Sequence, residues 1–273
     1  MTNQKVVLVT GASSGIGEAT AKRLAKAGYK VYGTSRRGTQ AGKQSFDMIA
    51  LDVTSDESVV AAVQEVMRLE GRIDLLVNNA GFSVAPGGAE ESSIGQAQSI
   101  FDTNFFGIVR MTRAAVPHMR SAGGGRIINI GSVLGFVPMP YGALYAATKH
   151  AIEGYSESLD HELRIWGIRV SVIEPAYIKT PFNAHFLEPD AKLDAYREVR
   201  AAVKMRVNEV METAEEADTV AETVLKAASA AHPKLRYTPA GLASQLRLLP
   251  RFAPTDLFDA AIRKDLRLDT PTA

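Results

Sequence analysis

Tyr145 and Lys149 lie four residues apart in the segment LYAATKHAIEGYSESL, which is rich in residues of high helix propensity. Apolar residues recur through it at helical spacing, so we expect a helix that projects the phenol and the ammonium from one face. A phenol with a pKa of about 10 is a poor base at neutral pH, but a nearby cation stabilises the phenolate. The pair would suit proton transfer, but taken alone it favours a chance spacing on a helix, with Tyr145 half-buried and Lys149 solvated, so the function depends on the motifs that accompany it.

A glycine-rich turn follows a short β-branched run near the amino terminus. Residues 6–10 are typical of a buried strand, and they lead through GASSGIG at 11–17 into a helix expected to end near Gly28. The first N–H groups and the positive dipole end of a helix bind phosphate groups. The spacing G-x-x-x-G-x-G at this place predicts a dinucleotide-binding turn, and the alternative is a tight turn without a ligand.

The composition indicates a globular protein without a metal or nucleic-acid partner. The chain has 273 residues, 46% of them apolar, and its 31 Lys and Arg against 30 Asp and Glu leave a formal net charge of +1. This balance offers no electrostatic footprint for nucleic acid. The absence of cysteine excludes thiolate catalysis and Cys-ligated zinc, and the five histidines form no ligand cluster. No apolar run is long enough for a membrane span, so we expect a cytoplasmic protein.

Strand and helix signals alternate along the chain, which predicts an α/β fold. We expect one domain over residues 1–273, a doubly wound, Rossmann-like parallel sheet of about seven strands with helices on both faces. The strands are expected near residues 5–10, 30–35, 47–52, 73–78, 126–131, 168–174 and 235–238, and the helices near 15–27, 56–69, 95–120, 144–166 and 214–230. Ligands bind at the carboxyl ends of such strands, where we expect Gly11, Ser35, Asp52, Asn78, Ser132 and Pro175.

Together these segments resemble the short-chain dehydrogenase/reductase family over about residues 4–240. Residues 10–17 resemble its cofactor loop, and residues 78–81, Asn-Asn-Ala-Gly, resemble the turn after its fourth strand. Pro175 and Thr180 match its proline-glycine-to-threonine segment at the nicotinamide, except that Ala176 stands in place of the usual glycine. The extra methyl group predicts a small backbone shift there rather than a loss of function.

The resemblance also implies a catalytic set, namely Asn104, Ser132, Tyr145 and Lys149. It implies that Tyr145 exchanges a proton with the substrate oxygen and that Ser132 holds this oxygen by a hydrogen bond. Lys149 would lower the phenol pKa and bind the nicotinamide ribose, and Asn104 would anchor a water that carries protons to solvent. The implied activity is an oxidoreductase that interconverts a hydroxyl and a carbonyl group by hydride transfer.

The end of the second predicted strand bears on the type of cofactor. Enzymes that use NAD usually place an acidic residue there, whereas this chain has Ser35, followed by Arg36 and Arg37. A hydroxyl beside a guanidinium suits a 2′-phosphate, so NADP(H) is favoured over NAD(H), and the alternative is a solvated pair of arginines. The full set of expected cofactor-binding residues is Gly11, Ser13, Ser14, Gly15, Ile16, Gly17, Ser35, Arg36, Arg37, Asp52, Val53, Asn78, Ala80, Gly81, Tyr145, Lys149, Pro175, Ala176, Ile178 and Thr180.

Apolar segments around the predicted site suggest a lipophilic alcohol or ketone, similar to the hydroxysteroid- and retinol-dehydrogenase-like branch of the family. Residues 181–212 are expected to form a substrate lid and residues 241–273 a helical extension, although their apolar residues also suit a core or a subunit interface. The candidate substrate residues are Val133, Leu134, Tyr141, Phe182 and Phe186.

The alternatives are a reductase of small polar carbonyls, a non-catalytic NADP-binding regulator of the same fold, and an epimerase of sugar nucleotides. The short carboxyl-terminal tail argues against the epimerase. The resemblance implies a homodimer or homotetramer.

Overall fold

The computed structural model describes residues 4–38, 44–181, 186–239 and 241–268, without the side chains of residues 248–252. In chain order, its strands are β1 Val6–Val9, β2 Lys30–Ser35, β3 Asp47–Ala50, β4 Leu75–Asn78, β5 Gly125–Ile130, β6 Ile168–Ile173, β7 Ile178–Lys179, β8 Glu215–Glu216 and β9 Arg236–Tyr237. Its α-helices are α1 Gly15–Lys26, α2 Asp56–Glu70, α3 Ile94–Phe101, α4 Gly107–Ser121, α5 Ala143–Leu163, α6 Arg197–Glu212, α7 Ala217–Ser229, α8 Gly241–Phe252 and α9 Thr255–Asp265.

Seven of the strands form one parallel sheet in the order β3-β2-β1-β4-β5-β6-β9, and β7 pairs with β8 outside it. The strand order therefore reverses between β1 and β4, which is where doubly wound sheets bind their ligands. The predicted fold class, including the number of strands, is confirmed.

Alternate side chains of the strands enter two separate apolar layers. In β1, Val6 and Leu8 pack in the layer that α2, α4 and α5 cover, whereas Val7 and Val9 pack in the layer that α1 and α7 cover. Successive side chains of a strand point to opposite faces of its sheet. Because both faces are covered by helices, every residue of β1 is apolar, as in other buried parallel strands.

The six residues expected at the carboxyl edge of the sheet lie there. Ser35 and Asn78 are the last residues of β2 and β4, and the other four follow β1, β3, β5 and β6 by two residues. Since these strands run parallel, all six belong to the same edge. This edge carries the candidate active site.

The long helix expected over residues 95–120 is divided in the structure. A π-helical turn, Asp102–Phe106, lies between α3 and α4. A π turn inserts one residue without breaking the helical hydrogen bonding, so the apolar pattern still resembles a single helix. The turn places Asn104 in the interior of the protein, where it is 2% exposed.

Two segments outside the sheet pack together. The segment expected as a lid contains α6, a helix that the sequence pattern did not predict, and the expected extension contains α8 and α9. Val203 and Val207 of α6 form a third apolar cluster with Leu266, just after α9, and Met139 and Tyr141 pack against it. Among the described residues, no helix is both long enough and apolar enough to cross a membrane.

Candidate active site

Ser132 and Lys149 are both held at the end of β5. Ser132 begins the short 3-10 helix Val133–Gly135, and its Oγ accepts a hydrogen bond from the Leu134 N–H at 3.1 Å. The same hydroxyl donates to the Pro175 carbonyl at 3.4 Å. Lys149, on α5, donates from Nζ to the Ile130 carbonyl at 2.8 Å. These bonds join the strand ends of β5 and β6 to the helix that carries the ammonium.

Lys149 and Tyr145 lie on the same face of α5, as their spacing predicts. The Lys149 Nζ is 5.4 Å from the centroid of the Tyr145 ring. Burial lowers the pKa of Lys149 to about 8, and the charge of Glu153 partly opposes this fall. Burial raises the pKa of Tyr145 above its usual value. This direction is opposite to the lowering expected from Lys149, because desolvation of the phenolate outweighs the attraction of one ammonium, so a phenolate here needs a further positive charge.

Asn104 bonds backbone groups of a neighbouring loop. Its Oδ1 accepts from the Phe82 N–H at 2.9 Å, and its Nδ2 donates to the Phe82 carbonyl at 2.8 Å. The Nδ2 also donates to Thr148 Oγ1 at 3.3 Å, and the Thr148 hydroxyl donates to the Tyr145 carbonyl at 2.8 Å. Asn104 therefore connects the loop after β4 to the helical turn that carries Tyr145. Its expected role in anchoring a water stays a prediction.

The glycine-rich turn is too tight for larger side chains. A Cβ on Gly17 would lie 2.2 Å from the Gly11 carbonyl oxygen. Gly15 has φ +57°, and a Cβ there would lie 3.2 Å from the Thr180 Cβ, so two segments expected at the cofactor meet. Ser14, the N-cap residue of α1, makes no side-chain hydrogen bond to the helix, which leaves the first N–H groups without the usual hydroxyl cap. The backbone at this turn thus fits a phosphate group.

Thr10 and Asn79 hold the glycine-rich turn against the loop after β4. Thr10 Oγ1 accepts from the N–H groups of Asn79 and Ala80, at 2.9 and 3.0 Å. In return, Asn79 Nδ2 donates to the carbonyls of Thr10 and Gly11, at 2.9 and 3.0 Å. A Cβ on Gly11 would lie 3.0 Å from the Ala80 Cα. Gly11 and Ala80, both expected at the cofactor, are therefore held together by Thr10 and Asn79, which were not in the expected set.

Asn78, which was in that set, has a buried side chain that bonds the neighbouring strand β5. Its Nδ2 donates to Asn129 Oδ1 at 2.9 Å, and Asn129 Nδ2 donates to Ser156 Oγ at 2.8 Å. Adjacent residues at a strand end face opposite sides, so only one of the two asparagines reaches the glycine-rich turn. The sequence signal for this contact was the pair Asn78-Asn79 at a strand end. Which of the two asparagines reaches the glycine-rich turn depends on the residue at which β4 ends.

Ser35 and the two arginines after it lie at the end of β2. The Ser35 Oγ is buried and has no hydrogen-bond partner among the described residues. Arg36 and Arg37 are exposed. Bonds from the N–H and the hydroxyl of Thr54 lower the pKa of Asp52, and the charge of Arg36 adds to this effect, which places Arg36 toward Asp52. A hydroxyl without a partner in the described part of the chain, followed in sequence by an exposed guanidinium, fits a phosphorylated ribose.

Asp52 and Val53 both have contacts within the protein. Asp52 Oδ1 accepts from the Thr54 N–H at 2.9 Å and from its hydroxyl at 2.7 Å, so Asp52 stabilises the turn after β3. Val53 is buried, and a Cβ on Gly107 would lie 2.9 Å from its Cγ2. The start of α4 therefore packs closely on this turn. Contacts of either residue with a cofactor stay predictions.

The residues expected at the substrate are partly placed by the structure. Val133 is buried, Leu134 and Phe186 are half-buried, and Phe182 lies outside the described residues. Tyr141 has φ +62°, an uncommon conformation for a bulky residue, and its ring meets the Tyr196 ring edge-on at 6.3 Å between centroids. Strained backbone of this kind often occurs near functional sites.

The expected lid is bound to the loop after β4 by backbone bonds. Leu187 accepts from the Ala85 N–H at 2.7 Å and donates to the Ser83 carbonyl at 3.1 Å. Ser93 Oγ donates to Asp190 Oδ2 at 2.6 Å. These contacts join the start of the expected lid to residues that follow β4, and no local sequence pattern indicated them.

Comparisons with known proteins agree with this geometry. The family model described as short chain dehydrogenase matches residues 5–191. The 3-ketodihydrosphingosine reductase of Bacteroides thetaiotaomicron is 43% identical over 181 residues, an alignment that spans 66% of each protein. Retinol dehydrogenase 16 of Homo sapiens is 35% identical over 280 residues, which cover 94% of this chain and 87% of the relative.

Solved structures share most or all of the fold. A short-chain dehydrogenase from Streptomyces avermitilis has a TM-score of 0.81 at 30% identity, and the match covers 99% of this chain and 100% of the other. The 3-ketoacyl-(acyl-carrier-protein) reductase of Brucella melitensis, solved with NADH, has a TM-score of 0.72 at 29% identity and coverage of 86% and 96%. ElxO, solved with NADP, has a TM-score of 0.71 at 26% identity and coverage of 89% and 99%. Nicotinamide dinucleotides of both kinds thus occur in neighbours of this fold.

Proposed function

Because the chain belongs to the short-chain dehydrogenase family of oxidoreductases, we propose that it interconverts a hydroxyl and a carbonyl group with NADP(H) on a lipophilic substrate. The expected resemblance to this family and to its retinol-dehydrogenase-like branch is confirmed. The observation that carries the proposal is the placement of Lys149, whose ammonium is bonded to the end of β5 and lies 5.4 Å from the Tyr145 ring.

The chain's own residues would manage the substrate oxygen. The Ser132 hydroxyl makes a long and therefore weak bond to Pro175, at 3.4 Å, which a substrate oxygen can replace. Tyr145 would donate its proton to that oxygen during reduction and accept it during oxidation. Lys149 would stabilise the phenolate by its charge.

The cofactor residues would bind and orient the dinucleotide. The residues that would hold it are those of the glycine-rich turn, supported by Thr10 and Asn79, together with Ser35 and Arg36. When bound, the nicotinamide supplies or accepts a hydride. The preference for NADP(H) is supported by the exposed Arg36 and by the Ser35 hydroxyl, which has no partner among the described residues, since the neighbours with known cofactors include both kinds.

A lipophilic substrate is supported by the apolar surroundings of the site and by the names of the relatives. Apolar side chains lie between the Ser132 segment (residues 132–136), α6 and the end of α9. They belong to residues 133–141 and to the cluster around Val203. The relatives are named for retinol and for a ketodihydrosphingosine, both largely hydrocarbon. Residues 181–212 would then act as a lid, and the helices over 241–273 as its support.

The assembly and location expected from the sequence stay predictions. A homodimer or homotetramer through α4 and α5 is supported by the exposed Phe106 beside α4, which is 48% exposed. Light scattering after size-exclusion chromatography checks the oligomeric state. Cell fractionation checks the expected cytoplasmic location.

The proposed function is tested by a panel of alcohols and carbonyls, followed at the nicotinamide absorbance with NADPH and NADP. The panel pairs long-chain ketones and polyene or steroid alcohols with small polar carbonyls. We expect turnover of the apolar compounds by the wild type and none by Tyr145→Phe, which retains NADPH binding. Turnover of small polar carbonyls alone would replace the lipophilic substrate class. Binding of NADPH without turnover of any compound would favour a regulatory protein.

A further inference from the structure

Four charged side chains from four different segments meet beside the catalytic residues. Glu153 lies on α5, Glu174 directly follows β6, Arg236 begins β9, and Arg247 lies on the carboxyl-terminal helix α8. Glu153 is 8% exposed and Glu174 is 0% exposed. Two buried carboxylates so close together require positive charges, because isolated buried charges are very costly.

Arg236 and Arg247 form their hydrogen bonds with different carboxylates. Arg236 donates from Nε to Glu153 Oε2 at 3.0 Å and from Nη2 to Glu157 Oε2 at 2.8 Å, while its Nε lies 3.6 Å from Glu174 Oε1. Arg247 donates from Nη1 to Glu174 Oε1. The other oxygen of Glu174 has no hydrogen-bond partner among the described residues. Arg247 therefore supplies the close positive charge of Glu174.

Arg247 also contacts two residues that flank Ser132 in space, one after β6 and one after β5. On one side, Glu174 precedes Pro175, whose carbonyl accepts from the Val133 N–H at 3.0 Å and from the Ser132 hydroxyl. On the other side, the Arg247 guanidinium lies 5.1 Å from the centroid of the Phe136 ring, and Phe136 ends the short helix that Ser132 begins. One guanidinium thus contacts both Glu174, which precedes Pro175, and Phe136, at the end of the short helix that Ser132 begins.

We propose that Arg247 is a positioning residue, which holds the Pro175 carbonyl and the Ser132 segment in place through Glu174 and Phe136. This inference rests on the proposed function, because Ser132 acts on the substrate oxygen there. It makes α8 a part of the active-site structure rather than an appendage to the fold.

Loss of Arg247 changes the charge of the cluster in a defined direction. Burial and the charge of Glu153 raise the pKa of Glu174, and Arg247 and Arg236 oppose this rise. Arg236 also pairs with Glu153 and Glu157. The Lys149 ammonium lies one helical turn from Glu153 and interacts with its charge. Without Arg247, Glu174 takes up a proton at a higher pH and loses its link to α8. The Ser132 segment then keeps its hydrogen bonds to Pro175 and within the short helix, but loses the support of the Arg247 guanidinium.

The test compares Arg247→Met with the conservative Arg247→Lys and with the double variant Arg247→Met, Glu174→Gln. Lys264→Met, which removes an exposed charge from α9, is the matched control. For Arg247→Met we expect kcat to fall by about tenfold to a hundredfold through misplacement of Ser132, with little change in NADPH affinity. Amide exchange at Val133 and Leu134 should quicken by about tenfold as the local structure opens more often.

Arg247→Lys should recover most of the rate, since it keeps the charge beside Glu174. The double variant should regain thermal stability, because no carboxylate is left unpaired, while kcat stays low. Recovery of kcat together with stability in the double variant would show a merely structural role and overturn the proposal. So would wild-type amide exchange in Arg247→Met.

The exchange measurement separates this inference from the proposed function. If the wild type turned over no compound of the panel, the proposed function would fail, and the exchange of Val133 and Leu134 would still decide whether Arg247 positions the segment. If the wild type were active and Arg247→Met behaved like Lys264→Met in both measurements, only the inference would fail.

Discussion

The guanidinium of Arg200 donates a hydrogen bond to the completely buried carboxylate of Glu91, and this pair joins α6 to the loop after β4. Glu91 Oε2 also accepts from the Gly88 N–H at 2.7 Å, and its Oε1 accepts from the Leu193 N–H at 2.7 Å. Arg200 in turn donates to the Leu193 carbonyl at 2.8 Å. This buried ion pair therefore adds to the bonds of Leu187 and Asp190 in attaching the proposed lid to the loop after β4.

Removing one partner of this pair should destabilise the protein strongly. We expect Arg200→Met to lower the free energy of unfolding by about 3 kcal/mol, because the buried Glu91 carboxylate loses its counter-charge. Glu91→Gln, added to Arg200→Met, should recover part of the loss. Urea unfolding measures both. Arg197→Met is the control, since Arg197 pairs with Asp194 at the surface and should change the stability by about 0.5 kcal/mol at most. Equal losses in Arg197→Met and Arg200→Met would contradict the assignment.

Arg36 should determine the choice between the two cofactors. A charge-assisted bond to a phosphate is worth about 1.5–3 kcal/mol, so the wild type should bind NADPH about tenfold or more tightly than NADH. Arg36→Ala should lose most of this advantage and leave NADH binding nearly unchanged, because NADH has no phosphate at that place. Ser35→Asp should reverse the preference by repelling the phosphate.

Titration of both cofactors by nicotinamide fluorescence measures these affinities. The charge of Arg36 lowers the pKa of Asp52, as does the charge of Arg110, so Arg36 lies near this edge of the sheet. Arg37→Ala is the companion variant, and we expect it to have the smaller effect, with Arg37 facing solvent. Tighter binding of NADH than of NADPH by the wild type would refute the preference. A parallel loss of both cofactors in Arg36→Ala would do the same.

Asn104 should contribute to stability as well as to activity. Asn104→Leu keeps the size of the side chain but leaves the N–H and the carbonyl of Phe82 without their partners, at a cost of about 1–3 kcal/mol. Turnover should fall too, because the link through Thr148 to the carbonyl of Tyr145 is lost. Thermal unfolding and kcat measure the two effects. Asn208→Leu, at an exposed position of α6, is the control and should change neither. An unchanged unfolding temperature in Asn104→Leu would disprove the bonding shown by the structure.

The buried ammonium of Lys149 should make stability depend on pH. Burial lowers its pKa from 10.5 to about 8. Below pH 8 the side chain is charged in both states, and the folded state bears the cost of burying the charge. Above about pH 10.5 it is neutral in both states, and this cost vanishes. The unfolding temperature of the wild type, relative to that of Lys149→Met, should therefore rise between these pH values.

The control for this measurement is Lys264→Met, because the ammonium of Lys264 is exposed. Its difference from the wild type should stay constant over the same range. A difference between the wild type and Lys149→Met that stayed flat, or fell as the pH rose, would mean that the folded protein does not disfavour the ammonium.

Local patterns in the sequence were enough to predict the sheet and its ligand-binding edge. The run at residues 168–174, for example, predicts a strand that the structure has at Ile168–Ile173. The four-residue spacing of Tyr145 and Lys149 likewise predicts one helical face, and α5 provides it. Such features depend on the period of a strand or a helix, which a few consecutive residues determine. The order of elements then places the ends of parallel strands at one edge.

Only the tertiary structure decided which side chains support the site. Glu91 and Arg200 are 109 residues apart and Glu174 and Arg247 are 73 apart, so no local pattern could pair them. The raised pKa of Tyr145 also follows from the desolvation of its half-buried phenol in the folded protein. A contact between distant residues depends on the path of the whole chain, and the energy of a buried charge depends on everything that surrounds it. The sequence therefore determined the types and order of the chemical groups, while folding determined their partners and their charge states.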